Sequence, residues 1–225
     1  LFWCQSTCLC RKSEYSYNPP LNRYNIMVIK IPPQVNRAIE ILRQNGHTAH
    51  VVGGAVRDAI MGIEANDWDI ATSALPEETS AVFKDFRVIE TGIKHGTVTV
   101  LIDNEPIEIT TYRSESTYSD NRHPDSVTFS KSLSDDVVRR DFTMNAIAYD
   151  FSDGFCDLVN GIDDINNQTI RCIGDAETRF REDALRILRA LRFSSVLGFA
   201  IEENTKSAIH KCKDLLRNIS AERIR

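Results

Sequence analysis

Long apolar runs are missing from this sequence of 225 residues, of which 42% are hydrophobic. A membrane-spanning helix needs about 20 consecutive apolar residues, so the sequence predicts no membrane partner. The chain also has no excess of positive charge, because its formal net charge is −5. A strongly basic coat for nucleic acid is therefore excluded, although arginines cluster locally in 179–192.

Cysteines are few, and their spacing forms neither a disulfide framework nor a complete zinc pattern. Three crowd the first ten residues and three are scattered: Cys4, Cys8, Cys10, Cys156, Cys172 and Cys212. The simplest interpretation is a reduced compartment. We therefore predict a cytoplasmic location, with a mitochondrial one as the alternative. A metal at the first three cysteines would need a fourth ligand, and none lies near them in the sequence.

Composition divides the chain into three parts. Residues 1–26 are poor in acidic side chains and show no periodicity, so we interpret them as a disordered leader, a targeting segment or a non-native extension. Residues 27–150 mix strand and helix patterns, whereas 151–225 are predicted to be helical. Because the chain starts with Leu1 and ends at Arg225 inside a helical pattern, we expect a fragment or a processed product.

The segment 51–72, VVGGAVRDAIMGIEANDWDIAT, carries the densest set of candidate site residues. A short apolar strand leads into a glycine pair ending at Gly54, where backbone N–H groups can approach an anion, and Arg57 adds a positive charge. Asp67 and Asp69 follow at i and i+2 on a predicted strand, so their side chains share a face. Two such carboxylates repel each other, and a divalent metal commonly relieves that repulsion. Phosphate, metal and carboxylates together indicate nucleotidyl transfer.

The clearest hairpin lies in 97–112, TVTVLIDNEPIEITTY. Both arms are rich in Val, Ile and Thr, and the polar run between them predicts the turn. In the second arm Ile107 and Ile109 face one side, which leaves Glu108 on the non-core face. Glu108 is therefore either a solvent-facing glutamate, as acidic residues mostly are, or a third carboxylate beside the two aspartates.

The polar segment 114–134 shows no regular pattern except a brief strand near Val127. Loops of about 20 residues are uncommon inside compact domains and are usually functional or mobile. We therefore predict a lid or flexible element here.

A pair of arginines and an aspartate, Arg139, Arg140 and Asp141, precede an apolar strand pattern. They are open to two interpretations. Arg140 and Asp141 could form surface ion pairs worth about 0–1 kcal/mol. Alternatively, the guanidinium group could hold phosphate or sugar oxygens.

A predicted helix over 177–197 places Asp183, Arg186, Arg189 and Arg192 on one ridge. The ridge could be a solvated face with one intrahelical salt bridge worth about 0.2–0.5 kcal/mol. It could also select bases, because a carboxylate accepts from an exocyclic amine while an arginine donates to a ring nitrogen. Cytosine and adenine present that pair of groups, whereas guanine and uracil do not.

With these residues in place, the chain resembles the class II tRNA nucleotidyltransferase and poly(A) polymerase family of the DNA polymerase β superfamily. The resemblance runs from about Met27 to the end and keeps the family's motif order. The matching segments are GGAVRD (53–58), DWDIAT (67–72), KHGTVTV (94–100), IEITTYR (107–113), RHP (122–124), RRDFTMNAIA (139–148), DLVNGIDDI (157–165) and GDAETRFREDALRILRALRF (174–193).

The resemblance implies an α+β fold. It implies a nucleotidyltransferase head over 27–150, with a mixed or antiparallel sheet and flanking helices, followed by an all-helical neck over 151–225. The family's body and tail domains, which grip tRNA, would be missing from this chain. The segment 114–134 would correspond to the family's flexible element.

The resemblance also implies roles for the candidate residues. Asp67 and Asp69 would hold two Mg²⁺ ions, with Glu108 as the third catalytic carboxylate. The nucleotide-binding set would be Gly54 and Arg57 for the triphosphate, Arg140 for ribose and phosphate, Asp183 and Arg186 for the base of CTP or ATP, and Arg189 and Arg192 for the pocket wall.

The implied activity is the addition of CCA to the 3′ end of tRNA from CTP and ATP. A poly(A) polymerase and an enzyme that adds only CC or only A share these motifs, so both stay open. A non-catalytic nucleotide-binding fragment is the alternative from another class. The sequence predicts no oligomeric state.

Overall fold

The computed structural model describes residues 29–65, 67–115 and 126–219. The helices are α1 (Pro33–Gln44), α2 (Gly54–Ile60), α3 (Pro76–Val82), α4 (Leu133–Val138), α5 (Gly161–Asn166), α6 (Ala176–Glu182), α7 (Leu185–Leu197) and α8 (Glu203–Cys212). The strands are β1 (Ala49–Val52), β2 (Asp69–Thr72), β3 (Arg87–Ile89), β4 (Thr97–Ile102), β5 (Glu105–Thr111), β6 (Arg113–Glu115), β7 (Val127–Phe129), β8 (Ala148–Asp150), β9 (Gly154–Cys156), β10 (Thr169–Ile170) and β11 (Ala200–Ile201). The predicted leader and its three cysteines lie outside the described residues.

A seven-stranded mixed sheet in the order β3-β4-β5-β2-β1-β8-β9 forms the centre of the head. Strands β2 and β5 run parallel, whereas the other neighbours run antiparallel. The predicted α+β class with a mixed sheet is therefore confirmed. None of the described helices is both long and apolar enough to cross a membrane.

Helix α1 covers one face of this sheet, as its helical spacing of apolar residues predicts. Its buried positions include Ile39 and Leu42, which join one hydrophobic cluster with Val51, Ile70 and Ile109 from three strands. Since side chains alternate along a strand, the residues between these core positions project from the opposite face. That opposite face carries the candidate carboxylates.

The β4–β5 hairpin is tighter than the sequence pattern suggests. Ile102 pairs with Glu105, so the turn consists of Asp103 and Asn104, both with positive φ (52° and 66°). Two consecutive residues with positive φ are typical of a type I′ turn, which suits Asp and Asn. The turn therefore fixes the register that carries Glu108.

The described part of the segment predicted to be all-helical, residues 151–219, contains three strands. Strand β9 pairs with β8 in the main sheet, and β10 and β11 form a parallel two-residue pair. The head sheet therefore extends past the predicted boundary at residue 150. The polar segment also contains more structure than expected, because β6 pairs with β7 and α4 follows. Residues 116–125 of it lie outside the described residues.

The helix predicted over 177–197 is two helices. Asp183 has an extended backbone (φ −137°, ψ 106°), and its Oδ1 accepts a hydrogen bond from the N–H of Leu185 at 2.9 Å. Aspartate competes well for backbone N–H groups, which explains why the chain breaks here. The break changes how the ridge of charged residues faces the head.

Candidate active site

Two of the three candidate carboxylates lie side by side on neighbouring strands. Asp69 is the first residue of β2, and its partner in the parallel register is Glu108 on β5. Residues paired in this way project from the same face of the sheet. Asp67 precedes the strand in irregular backbone and is exposed, so its predicted place on the strand itself is wrong. The reason is that β2 starts two residues later than the pattern suggested.

The carboxylate of Asp69 is electrostatically crowded. Burial, followed by the charges of Asp67 and Glu108, raises its pKa to about 6, although Arg140 opposes the shift. The charge effects show that both acidic neighbours are close enough to repel Asp69. Carboxylate oxygens are the ligands that Mg²⁺ prefers, so the donor chemistry fits a divalent cation. Within the described part of the chain, however, no three His, Cys, Asp or Glu side chains already form a metal-binding cluster.

The glycine pair lies between the acidic edge and the nearest arginine. Gly53 has φ +80° and ψ −144°, a conformation that L side chains rarely adopt. A Cβ at this position would lie 3.8 Å from both Asp69 Oδ2 and Arg140 Nη1. Gly54 then begins α2, so its backbone lines the cleft directly above the sheet.

The guanidinium of Arg57 is buried and fully oriented. Its Nη1 donates to Asn145 Oδ1 at 2.7 Å, and its Nε donates to Asp58 Oδ1 at 2.8 Å. Its Cζ also lies 5.2 Å from the ring centroid of Phe193, a cation–π contact. Arg57 therefore lines the cleft with its direction fixed by three neighbours.

A cleft of about 660 Å³ connects the sheet edge to the helical segment. It is lined by Gly53, Gly54, Arg57, Asp69, Arg113, Glu115, Arg139, Arg140, Asp141, Asn145, Asp183, Arg186, Arg189, Arg192, Phe193, Val196 and Leu197. The structure thus brings every predicted nucleotide-binding residue to one cleft. Of the three carboxylates, Asp69 belongs to this lining, whereas Asp67 and Glu108 do not.

The arginine pair does not form the simple surface pair that the first interpretation required. Arg140 binds Asp136 through Nε (3.1 Å) and Nη2 (2.7 Å), and the Asp136 side chain is buried. Asp141 instead accepts from Arg189 Nε at 2.7 Å. The Asp141–Arg189 pair joins two elements that are far apart in sequence. The Asp136–Arg140 pair fixes the guanidinium of Arg140 at the cleft wall.

The helical side of the cleft is organised around Arg186, which is 7% exposed. Its Nη1 donates to Glu182 Oε2 at 2.6 Å, and its Nη2 donates to the carbonyl of Arg139 at 3.2 Å. Arg186 therefore forms a salt bridge with Glu182, the residue that precedes Asp183 in the sequence. Arg189 and Arg192 are exposed on the next turns of α7 and line the cleft.

Several cleft residues were missed by sequence reasoning. Those in the lining are Arg113, Glu115, Arg139, Asn145 and Phe193. Asp136 and Glu182 are not part of the lining but accept hydrogen bonds from Arg139 and Arg186, which are. The two-arginine motif was noticed, but only its second member was assigned a role. Asp136 gave no signal, because an acidic pair on a short helix normally indicates a solvated face.

Comparison with known proteins gives matches across most of the chain. The family model "Poly A polymerase head domain" matches residues 49–171, and "Probable RNA and SrmB- binding site of polymerase A" matches 198–225. A CCA-adding enzyme of Enterococcus faecalis is 50% identical over 197 residues, which is 86% of this chain and 48% of that protein. The chain thus spans about half the length of the curated relatives it matches.

Solved structures show the same likeness. The CCA-adding enzyme of Bacillus stearothermophilus, in complex with CTP, superposes with a TM-score of 0.78 at 46% identity, over 86% of this chain and 47% of that one. The CCA-adding enzyme of Thermotoga maritima, complexed with tRNA, gives a TM-score of 0.70 at 25% identity, over 86% and 46%.

Proposed function

Because the chain belongs to the family of the poly A polymerase head domain, we propose that it is the catalytic part of a CCA-adding tRNA nucleotidyltransferase. The observation that carries this proposal is the register pairing of Asp69 with Glu108, with Asp69 itself lining an arginine-rich cleft. Carboxylates on one wall and guanidinium groups on the other suit a metal-bound nucleoside triphosphate. The similar enzymes with CTP and with tRNA support the same substrates.

In the proposed reaction, the 3′-hydroxyl of an RNA attacks the α-phosphate of CTP or ATP and pyrophosphate leaves. Asp67 and Asp69 would hold Mg²⁺, which lowers the pKa of the attacking hydroxyl and neutralises the leaving group when it is bound. Glu108 would complete the metal site or take the hydroxyl proton. The glycine pair and Arg57 would place the triphosphate, since backbone N–H groups and an oriented guanidinium both donate to phosphate oxygens.

Base selection is proposed for Asp183 and Arg186, with Arg189 and Arg192 lining the pocket. A carboxylate beside a guanidinium presents an acceptor and a donor, the pattern complementary to cytosine and adenine. Arg140 would hold ribose and phosphate oxygens. The buried bond from Arg186 to Glu182 supports this proposal, because it fixes the guanidinium before a nucleotide arrives.

The test is product sequencing with the protein in its full natural length. A tRNA that lacks its terminal CCA is incubated with CTP alone, ATP alone, or both, and the 3′ ends are sequenced. The proposal expects CC from CTP alone and CCA from both. Long A tails would identify a poly(A) polymerase, and CC or A alone would identify a partial-adding enzyme.

Binding without extension would identify a non-catalytic nucleotide-binding fragment. Calorimetric titration of CTP with and without Mg²⁺ would then show binding, while the extension assay would show no product. The cytoplasmic location and the domain boundary at about residue 150 stay predictions.

A further inference from the structure

A single buried carboxylate holds two consecutive arginines at the cleft. The Asp136 side chain is 1% exposed, and both of its oxygens are used. Oδ1 accepts from Arg139 Nε (2.9 Å) and Nη2 (2.6 Å), whereas Oδ2 accepts from Arg140 Nε (3.1 Å) and Nη2 (2.7 Å). Each guanidinium is thus gripped along one edge, which fixes its plane as well as its position.

These bonds use Nε and Nη2 of Arg140, and its remaining nitrogen, Nη1, lies near Gly53 and Asp69. Its Nη1 would lie 3.8 Å from a Cβ built on Gly53, the same position that lies 3.8 Å from Asp69 Oδ2. The far end of Arg139 donates from Nη1 to Glu115 Oε1 at 3.1 Å, and Glu115 also accepts from Arg113 Nε at 3.2 Å. Three arginines and two carboxylates therefore alternate along one wall of the cleft.

The carboxylates of this row lie behind the arginines. The side chains of Asp136 and Glu115 are 1% and 8% exposed, whereas those of the three arginines are 16–20% exposed. An anion in the cleft would therefore meet guanidinium groups before carboxylates. Three positive and two negative charges leave the row with a net positive charge, which suits a polyanion.

Stability alone does not explain a fully buried aspartate at this position. Buried ion pairs often contribute no more to stability than packed apolar side chains, because desolvation offsets their attraction. Burial by itself would raise the pKa of Asp136, but the charges of Arg140 and Arg139 lower it, so the carboxylate stays ionised. Its permanent charge is available for orienting both guanidinium groups.

We propose that Asp136 is a positioning residue that aligns Arg139 and Arg140 as a paired phosphate clamp, with Arg139 as a further contact to the triphosphate. This inference rests on the proposed function, since it requires a nucleoside triphosphate in the cleft. It adds two residues to the predicted site and assigns them to the phosphates rather than to the base. The roles proposed for Asp183 and Arg186 in base selection are left unchanged by it.

The experiment compares the binding of CTP and CMP to Asp136→Asn and to the unchanged protein, by calorimetry in EDTA so that only protein groups hold the phosphates. The measured quantity is the ratio of CTP affinity to CMP affinity. Asparagine keeps the shape of aspartate but accepts through one neutral oxygen, so we expect the ratio to fall about tenfold with CMP affinity retained. Asp136→Glu, which restores the charge, should recover part of the ratio.

The matched control is Asp135→Asn, the neighbouring aspartate of α4, whose carboxylate accepts from the Ser130 hydroxyl instead. It should leave the ratio unchanged. If Asp136→Asn does not fold, Arg139→Gln serves as the second variant and should lower the same ratio. The inference is overturned by an unchanged ratio in the folded variant, or by equal losses for CTP and CMP. An unchanged protein that binds neither nucleotide, in EDTA or with Mg²⁺ present, would instead refute the proposed function.

Discussion

The two walls of the cleft handle charge in opposite ways. On the sheet wall, Asp69 is crowded by Asp67 and Glu108, and its pKa is raised to about 6. On the arginine-lined wall, Arg57, Arg140, Arg186 and Arg189 each donate to a carboxylate or an amide oxygen. The sheet wall is therefore electrostatically strained, whereas the arginine wall is balanced.

This difference indicates what each wall is prepared to bind. A cation would relieve the repulsion among carboxylates, so the sheet wall gains from metal binding. The arginines need no such relief, and their partners hold them in fixed directions for an incoming anion. A site with one strained and one balanced wall thus suits a metal and a triphosphate that arrive together.

Asp69→Asn should separate activity from stability. We expect nucleotide addition to fall at least about 1000-fold, because a proposed metal ligand is lost. The free energy of unfolding at pH 8 should stay the same or rise, because the raised pKa means that ionised Asp69 is disfavoured in the folded state. Extension assays and urea unfolding measure the two quantities, with the exposed Asp85→Asn as control. A clear loss of stability would show that the sheet wall is not strained.

Glu108→Gln tests whether the third carboxylate takes part in the reaction. Because Glu108 is exposed, the neutral side chain should fold normally. We expect kcat to fall about 100-fold while CTP binding is retained, as for loss of a general base or a metal contact. Single-turnover extension and calorimetry measure this, and Glu105→Gln at the start of the same strand is the control. A variant with normal kcat would return Glu108 to the solvent-facing interpretation.

Arg186→Lys tests the balanced wall. Lysine cannot reach Glu182 and the Arg139 carbonyl together, so we expect about 1–3 kcal/mol of lost stability. Discrimination of CTP and ATP against UTP and GTP should weaken in the same variant. Denaturant unfolding and extension with each nucleotide measure the two effects. If stability and nucleotide discrimination are both unchanged, the bonds from Arg186 to Glu182 and to the Arg139 carbonyl do not orient its guanidinium for base selection.

The smallest effect concerns His50 of β1, whose side chain projects from the same face of the sheet as Asp69 and Glu108. Its Nδ1 lies 2.7 Å from the hydroxyl of Tyr112, and burial, aided by Arg43 but opposed by Asp150 and Asp153, lowers its pKa. Since the unfolded state binds a proton more readily, this residue makes stability fall as pH drops below about 6.5. His50→Gln should remove that part of the pH dependence, by a few tenths of a kcal/mol or more. Urea unfolding of both proteins at pH 5.5 and 7.5 would measure it. The same change in the free energy of unfolding between the two pH values in both proteins would contradict the prediction.

Local sequence patterns determined much of the head. The helical spacing of α1, the strand composition of the β4–β5 hairpin and the glycine pair are all signals read within a few residues. Alternation along β5 also placed Glu108 on the face opposite Ile107 and Ile109, as observed. These features depend on short-range geometry, which a sequence records directly.

Which charges meet depends on how the chain folds. The pairing of β2 with β5 joins Asp69 to Glu108 across nearly 40 residues of chain, and the pairing of Arg189 with Asp141 joins the helical segment to the head. The burial of Asp136 likewise depends on how the folded chain packs around it. The break at Asp183 is local by contrast, since Asp183 accepts a hydrogen bond from the N–H of Leu185. The groups that could carry a nucleotidyl transfer are recognisable from the order of residues alone. Their burial and partners came from packing, because electrostatic interactions depend on distances that close only when the chain folds.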